Sequence, residues 1–400
     1  MTVSLTESIY KVGEGVKRST VAGTATNSRS WYSRLSASVG VATALAALVA
    51  PSVASASTTG SAPAAAAATT GVPVGFAPTS TSWTSPSDGW VLGFAPCRAG
   101  SCPTLVSTSD DARTWQQNTA PRVSSTPDQT KIHFAGKLHG WATDGQVLMA
   151  THNGAGTWGR VRLPGAVGSV SISKLASTDR YAYAIVTYGV GSTRTTQLYS
   201  SPVGEDSWRP VAGVAVPGGG GWDITTHGSA AHVALGVIHT SLRMWSTADG
   251  SGWSEVQPVC SMHDAVRLSS TSPADVEGMC SFNAERGFME KQLVESAGGA
   301  APVVLGQAPN TGITTGFATA SDGTAVVAGV GAGASWLHAS FDKGATWETP
   351  LVIPDVQLPM LDLDFQDATH GVVVWGGPAW SGAAVYRTTD GGHTWSQLTL

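Results

Sequence analysis

Short apolar runs alternate with small polar segments along most of this chain. The runs are rich in Val, Leu and aromatic residues, as in Lys131–Phe134 and Leu361–Phe365, and Gly, Asp, Ser and Thr separate them. Runs of this length and composition, bounded by turn-forming residues, are typical of β-strands. The pattern predicts a protein built of many short strands joined by tight turns.

These runs recur in a fixed order. A first short strand is followed by a turn and a second strand that begins with Gly and an aromatic residue or Val, as in Asp88–Gly93, His139–Ala142 and His370–Gly376. A third strand then leads into a polar box, and a fourth begins at the tryptophan that closes the box. The predicted third strands are Leu105–Ser107, Val147–Met149, Gln197–Tyr199, Met244–Ser246 and Ala384–Tyr386.

The polar box follows the pattern S/T-x-D-x-G-x-T-W. Ser340–Trp347 and Thr388–Trp395 fit it fully, Thr108–Trp115 and Thr151–Trp158 more weakly, and Ser201–Trp208 and Ser246–Trp253 are degraded. The residues predicted to have structural roles in these boxes are Asp110, Trp115, Asn153, Trp158, Trp208, Trp253, Asp342, Gly344, Trp347, Asp390, Gly392 and Trp395.

The box tryptophans give the period of the repeat. Successive spacings between them are 43, 50, 45, 94 and 48 residues, and the long interval is twice 47. A copy without its tryptophan is therefore expected near residue 300, where Glu295 and Ser296 open a Gly- and Ala-rich segment. Seven repeats of four strands predict an all-β, seven-bladed propeller over residues 72–400.

The chemistry of the box explains its recurrence without catalysis. The Asp carboxylate accepts backbone N–H groups within a turn, Gly adopts positive φ, and Trp packs a large apolar ring whose N–H is left for a carbonyl. Dispersed copies of one Asp cannot all belong to one active site, so these aspartates are interpreted as structural.

The boxes resemble those of the BNR/Asp-box family of propellers, over about residues 72–400. That resemblance implies the propeller fold. The family includes sialidases, xyloglucan-active glycosidases and photosystem II stability-factor-like propellers, as well as exported bacterial proteins. The fold alone does not choose among these functions.

A sialidase-type glycoside hydrolase is the enzymatic alternative. Such enzymes use three arginines to hold the substrate carboxylate, with the first in an R-[IL]-P motif before the first box. The residue available there is Arg98, which has no such motif, and Arg162–Pro164 follows the second box. The sequence therefore predicts a protein that binds rather than catalyses, without cofactor or metal.

Composition and charge narrow the class of partner. Only 12% of residues are charged, against about 25% in ordinary domains, which argues against a coiled coil, a helical bundle and charge-rich disorder. Residues 1–56 hold five of the 22 basic and two of the 27 acidic residues, so the remainder has a net charge of −8. An acidic body argues against nucleic acid binding.

The N-terminal region has the features of an export signal. Arg29 and Arg34 precede the apolar run Val39–Ala50, and an A-x-A cleavage pattern ends at Ala56. The run is too short to span a bilayer, so no stable membrane insertion is expected after cleavage. Residues 1–56 are predicted to be a signal peptide and 57–71 a low-complexity linker, which makes the mature protein a secreted one.

Four cysteines in an exported chain allow three disulfide connectivities. Two local bridges, Cys97–Cys102 and Cys260–Cys280, are the simplest. A zinc site would need closer spacing than these cysteines have.

The strand order also predicts a binding surface. In each blade, the box turn lies at the same end as the turn between the first and second strands, and the turns between second and third strands lie at the opposite end. These latter turns vary most, and variable loops on a rigid scaffold are where function usually lies. The predicted binding residues are Trp380, Arg98, Arg194, Phe282, Arg286 and Phe288, and the predicted partner of this monomer is an extracellular glycan or protein.

Overall fold

The computed structural model describes residues 71–400 apart from 125–128, 219, 238–241, 262–263, 322, 355–357 and 378–381. Within them, 28 strands form seven four-stranded antiparallel sheets, and each sheet comes from one continuous segment of chain. This confirms the predicted seven-bladed propeller. The predicted signal peptide and all but the last residue of the predicted linker lie outside the described residues.

Four strands of a blade follow one another outward from the centre. The first strands are β1 Ala77–Trp83, β5 Lys131–Ala135, β9 Ser171–Ser177, β13 Gly220–His227, β17 Ala265–Ser269, β21 Ile313–Ser321 and β25 Met360–Phe365. The second strands are β2 Gly89–Cys97, β6 His139–Thr143, β10 Tyr181–Tyr188, β14 Ala230–Gly236, β18 Val276–Glu285, β22 Thr324–Gly331 and β26 Gly371–Trp375. The third strands are β3 Gly100–Thr108, β7 Leu148–Thr151, β11 Thr195–Pro202, β15 Leu242–Thr247, β19 Phe288–Ser296, β23 Ala334–Ser340 and β27 Ala384–Thr388. The fourth strands are β4 Gln116–Asn118, β8 Gly159–Arg160, β12 Arg209–Pro217, β16 Ser254–Val256, β20 Val303–Ala308, β24 Glu348–Pro354 and β28 Ser396–Gln397.

The first strands form the inner wall of the ring. Each contacts the first strand of the next blade, and β25 contacts β1, so the seven strands surround a central channel. The antiparallel order places the turns between first and second strands at the same end as the box turns, which we call the box face. The turns between second and third strands lie at the opposite end, which we call the hairpin face.

The box turns are held by their own side chains, as predicted. In blade 6, Asp342 Oδ1 accepts the amide of Thr346 at 2.8 Å and Oδ2 accepts the Thr346 hydroxyl at 2.6 Å. Ser340 Oγ donates to the same carboxylate and accepts the amide of Gly344. Blades 1 and 7 repeat this network around Asp110 and Asp390, and Asn153 replaces the carboxylate in blade 2.

The box tryptophan packs on an aromatic ring at the end of the first strand in three blades. Trp115 lies edge-on to Trp83, Trp158 to Phe134 and Trp395 to Phe365, with centroids 6.0–6.3 Å apart. A glycine at the first or second position of the second strand lies beside each of these rings, and a Cβ on Gly89, Gly140 or Gly371 would come within 2.7 Å of the ring. The recurring Gly–aromatic or Gly–Val start of the second strand therefore makes room for the tryptophan's partner.

Two predictions about the boxes need correction. In blade 4, Thr247 Oγ1 accepts the amide of Gly250 and Asp249 Oδ1 accepts the amide of Ser251, so the box begins at Thr247 and is one residue short. The indole N–H also lacks a carbonyl partner in two boxes, since Trp208 and Trp253 bury Nε1 without a hydrogen bond.

Blade 5 carries the copy that lacks Asp and Trp. Its turn between β19 and β20 is held instead by Asp275 from the neighbouring turn, whose Oδ1 accepts the amide of Gly298 at 2.8 Å. Ser296 keeps the first box position and donates to the Ala300 carbonyl. No indole covers the start of β20, where Val303 and Val304 are exposed.

Side chains close the ring between blades 7 and 1. Arg387 lies over the Trp83 ring, pairs with Asp111 and donates to the Pro86 carbonyl. Nearer the channel, Asp362 accepts the Ser80 hydroxyl and the Thr81 amide from blade 1. Within the described residues the two blades exchange no strand, and these contacts hold the closure together with the apolar cluster around Val372 and Val374.

Both predicted disulfides are confirmed. Cys97 and Cys102 join the ends of β2 and β3, with Cα atoms 5.9 Å apart. Cys260 lies in the connection that enters blade 5, and Cys280 lies within β18 rather than at its end, with Cα atoms 5.5 Å apart. The second bridge therefore ties the entry of blade 5 to the middle of its second strand.

Candidate functional site

A cavity of about 690 Å³ opens on the box face, at the mouth of the central channel. Its walls are the ends of β13, β17, β21 and β25, with the adjoining turns of blades 5, 6 and 7. We call it the channel-mouth cavity. Its volume lies within the range of pockets that bind small molecules or short segments of a partner, about 300–1,000 Å³.

Hydroxyl groups form much of the wall. They come from Thr225, Thr226, Ser269, Ser270, Thr271, Ser272, Thr319 and Ser321. Several already serve the fold: Ser269 Oγ accepts both the amide and the hydroxyl of Thr319 and so joins blade 5 to blade 6. Ser270 Oγ lies within hydrogen-bond distance of two carbonyls in its own turn. The wall is therefore polar and held by local hydrogen bonds.

Two of the four carboxylates in the wall hold turns. Asp275 accepts the Ser272 hydroxyl and the Gly298 amide, and these bonds lower its pKa despite some burial. Asp367 accepts hydrogen bonds from the amides of Thr369 and His370. Burial alone would raise the pKa of Asp367, but these bonds outweigh that effect, so its pKa is also lowered. Both groups are charged at neutral pH and structurally engaged.

Asp364 differs from these. It lies at the end of β25 with its side chain exposed to the cavity, and within the described residues no side chain donates a hydrogen bond to it. Its carboxylate is open to the cavity, but the surrounding walls restrict its hydration, and this raises the pKa of Asp364 to about 6. The amide of Phe365 opposes the shift, and the charge of Asp362 adds to it. Near neutral pH it is an ionised carboxylate without a cationic partner among the described residues.

A second carboxylate pair lies beside the cavity. Glu277 on β18 is directly opposite Glu295 on β19. Glu277 is buried, accepts one hydrogen bond from Thr271, and leaves Oε2 without a partner. Burial raises the pKa of Glu277 to about 7, and the charge of Glu295 adds to the effect. Lys343 lies 3.9 Å from Glu295 and partly balances the pair.

The cavity has an excess of negative charge. Its described lining contains four carboxylates, from Asp275, Glu295, Asp364 and Asp367, against Lys343. A wall of this kind favours a ligand that carries positive charge and hydrogen-bonding groups. Gln366 lies in the same wall, and both of its amide atoms are buried without a hydrogen-bond partner among the described residues.

The described binding residues of the sequence prediction lie on the hairpin face, away from this cavity. Arg98 is exposed in the turn between β2 and β3, and Arg194 follows a 3-10 turn at Gly191–Thr193. Arg286 is exposed in the turn between β18 and β19, 3.6 Å from Glu285. These residues come from three different blades, and their assignment to a binding site stays a prediction.

The sequence analysis expected Phe282 and Phe288 to lie in a loop, but both lie in strands. Phe282 lies within β18 and Phe288 begins β19, because the hairpin of blade 5 continues its strand pairing almost to the turn. Phe288 is 49% exposed and Phe282 is half-buried. Trp380 lies outside the described residues.

Sequence reasoning missed the cavity residues, although a signal was present. The first strand of blade 7 reads Leu361-Asp-Leu-Asp-Phe365, with carboxylates at alternate positions. Since first strands line the channel, carboxylates on such a strand indicate acidic groups near the channel wall. The Ser269–Ser272 run gave a second signal at the same end of the channel.

A sialidase-type site needs an arginine cluster, and the described residues that line the channel-mouth cavity include no arginine.

In the described part of the chain, no helix is long and apolar enough to cross a membrane.

No protein-family model and no curated protein matches the sequence. Solved structures with a similar fold include YCF48 bound to D1 peptide, with 16% identity over 80% of this chain and 95% of that chain and a TM-score of 0.51. A puromycin-hydrolyzing peptidase of Mycobacterium tuberculosis has 13% identity over 80% of this chain and a TM-score of 0.50. A prolyl endopeptidase has 9% identity over 81% of this chain and a TM-score of 0.51. The similarity covers only 52% and 49% of the two peptidase chains, and at these identities it shows the propeller fold alone.

Proposed function

We propose that this protein is an exported, non-catalytic propeller that binds a basic segment of a protein partner in the channel-mouth cavity. The observation that carries this proposal is Asp364, an exposed carboxylate at the end of a channel strand with no cationic partner among the described residues. A Lys or Arg side chain of a partner would supply the missing charge. The surrounding hydroxyls would supply hydrogen bonds to its peptide groups.

The energetics favour a charged ligand over a neutral one. The raised pKa of Asp364 indicates that its charged form is poorly hydrated at the cavity wall, which costs some free energy in the absence of a cation. Residues that destabilise a fold but complete a site are a common feature of functional pockets. A cationic ligand would recover part of that cost because opposite charges attract more strongly where water is partly excluded.

A glycan is the other partner class that the sequence left open. The described wall of the cavity has one aromatic residue, Phe365, so it offers little surface for stacking on a sugar ring. The similarity to YCF48, whose structure holds a peptide, is compatible with a protein segment as ligand. The two disulfides are compatible with an oxidising, extracellular environment.

Fluorescence anisotropy with labelled short peptides tests the proposal. A Lys/Ser peptide should bind the propeller, and the same peptide with Glu in place of Lys should not. Asp364→Asn should weaken binding by about tenfold, or about 1.4 kcal/mol, because it removes the carboxylate that pairs with the Lys side chain where water is partly excluded. Affinity for the Lys peptide should also rise between about pH 5 and pH 7.5, as Asp364 loses its proton with a pKa of about 6.

Asp179→Asn is the matched control. Asp179 is exposed in the turn between β9 and β10, on the same box face but outside the cavity. Removing its charge changes the overall field equally, so this variant should keep the affinity of the unmodified protein. Equal losses in both variants, or binding of a glucosamine trisaccharide in the absence of peptide binding, would contradict the proposal.

A further inference from the structure

Two histidines face each other on the box face of blade 2. His139 begins β6 and His152 directly follows β7, and the register that pairs Gly140 with Thr151 places the two histidines opposite each other. Their Nδ1 atoms are 3.1 Å apart and their ring centroids 5.3 Å apart. Both side chains are half-buried, so the pair is accessible from solvent.

Blade 3 supplies the surroundings of this pair. His152 Nε2 lies 3.2 Å from Asp206 Oδ2, in the box turn of the next blade. Gly204 lies against the other ring, where a Cβ would come 3.2 Å from His139 Cε1. The imidazole of His152 is thus oriented by a carboxylate at one nitrogen while its other nitrogen faces His139.

The arrangement has the chemistry of a metal site. An ion about 2.0–2.1 Å from two imidazole nitrogens holds them about 2.9 Å apart at a right angle and about 3.3 Å apart at the tetrahedral angle. The observed separation lies between these values. A ligating histidine commonly donates its second N–H to a carboxylate, which is the role Asp206 would have here.

We propose that His139 and His152 bind one divalent late transition-metal ion, such as Zn²⁺ or Cu²⁺, through their Nδ1 atoms. Imidazole is a preferred ligand of these ions, and Asp206 would orient His152 from outside the coordination shell. No group of three or more His, Cys, Asp or Glu side chains forms a metal-binding cluster in the described chain. Water or a group from a partner therefore completes the shell.

The site would bridge two turns of blade 2. His139 lies at the turn from β5 to β6, and His152 lies in the box turn that follows β7. A bound ion would join these turns, and any ligand that binds the folded state alone stabilises it. Metal binding should therefore raise the melting temperature of the propeller.

Tag-free protein, titrated with Zn²⁺ and followed by calorimetry, tests the site. We expect one equivalent of Zn²⁺ to bind near pH 7.5. The Zn²⁺ affinity should be at least about tenfold lower in His139→Gln and in His152→Gln than in the unmodified protein. Binding should weaken near pH 5.5, because the proton on the imidazole pair competes with the ion. Sub-stoichiometric Cu²⁺ should give an electron paramagnetic resonance spectrum with coupling to two imidazole nitrogens.

His393→Gln is the control variant. His393 is an exposed histidine in the blade 7 box, 3.6 Å from Glu348, so it offers an imidazole and a carboxylate without a second histidine. It should leave the Zn²⁺ affinity unchanged. Circular dichroism spectra identify any variant that fails to fold. Absence of Zn²⁺ binding, or binding that survives both the His139 and the His152 substitution, would overturn the proposal.

Discussion

At the scale of single residues, the box aspartates are ligands for their own turns. Asp342 accepts three hydrogen bonds from Ser340 and Thr346, and those from Thr346 dominate the lowering of its pKa. A depressed pKa means that the charged form is favoured by folding, so the stabilisation exists above the unfolded pKa and disappears as pH falls.

Asp342→Ala should lower the melting temperature at neutral pH, because it leaves the Thr346 amide without its acceptor. The difference from the unmodified protein should shrink as the pH approaches 3. Thermal unfolding followed by circular dichroism measures both. Asp179→Ala, which removes an exposed carboxylate, should melt like the unmodified protein, and a pH-independent effect of Asp342→Ala would refute the account.

The pH dependence of stability expected from Glu277 is the opposite of that expected from Asp342. Its pKa is raised to about 7 by burial, so folding favours the protonated form and the fold loses stability as pH rises through 7. Glu277→Gln should therefore stabilise the protein by about 1–3 kcal/mol near pH 8 and by little near pH 4. Urea unfolding at the two pH values measures this. A destabilised variant at pH 8 would show that the charge is compensated.

The sequence was informative for single residues wherever a role repeats. Six box tryptophans and their turn residues could be assigned because each position recurs at a fixed spacing. Asp364 could not be found in the same way, because it occurs once. Its importance depends on which side of β25 faces the channel, and on the absence of a side-chain donor within the described residues.

At the scale of elements, blade 5 is the exception among the blades. It lacks the box carboxylate and indole, Asp275 holds its turn from outside the box, and the start of β20 is exposed. The Cys260–Cys280 bridge closes a segment with a sequence separation of 20, whereas Cys97–Cys102 spans 5. By chain entropy alone, the longer loop contributes about 3 kcal/mol and the shorter one about 2 kcal/mol.

Replacing Cys260 and Cys280 by Ala should make blade 5 exchange its amide hydrogens first. The reason is that its outer strand has no indole to cover it and its entry would no longer be tied to β18. Hydrogen–deuterium exchange resolved by peptide measures the order of opening. The matched variant without Cys97 and Cys102 should leave blade 5 as protected as before. Uniform exchange across the blades of the first variant would disprove the prediction.

Element boundaries were predictable where turn chemistry was regular. Six fourth strands begin directly after a box tryptophan, at Gln116, Gly159, Arg209, Ser254, Glu348 and Ser396. The predicted start of the blade 4 box at Ser246 was wrong, because one residue is missing between the Asp and the Trp of this box. The position of Trp253 alone could not show which part of the box was shortened. The sequence of the blade 5 hairpin predicts a loop because Asn283 and Gly287 are common in turns, although strand pairing continues past Phe282.

At the scale of the whole molecule, the period predicted the number of blades but not how the ring closes. Closure depends on contacts between residues that are 282 positions apart, such as Ser80 and Asp362. No local sequence pattern predicts such pairs. The positive φ of 49° at Asp362 could not be predicted from its sequence neighbours either. The carboxylate of Asp362 also pairs with Lys131, at 3.0 Å, and so joins blades 1, 2 and 7.

The position of the proposed binding site is also a property of the whole molecule. Loop variability favoured the hairpin face in the sequence analysis, with Arg98, Arg194 and the blade 5 hairpin as contacts. The structure places a polar, acidic cavity on the box face. The proposed binding site therefore lies among regular turns, and its lining groups come both from the ends of channel strands and from the turns beside them.

Hydrogen–deuterium exchange with the Lys/Ser peptide, at a concentration near the Kd of the unmodified protein, tests this central claim most directly. We predict slower exchange in the segments that line the channel-mouth cavity, at 225–227, 269–275, 319–321 and 364–367, and much less protection of the same segments in Asp364→Asn at the same peptide concentration. Protection confined to the hairpin-face segments 97–102, 189–194 and 282–288, or equal protection in Asp364→Asn, would contradict the assignment of the binding site.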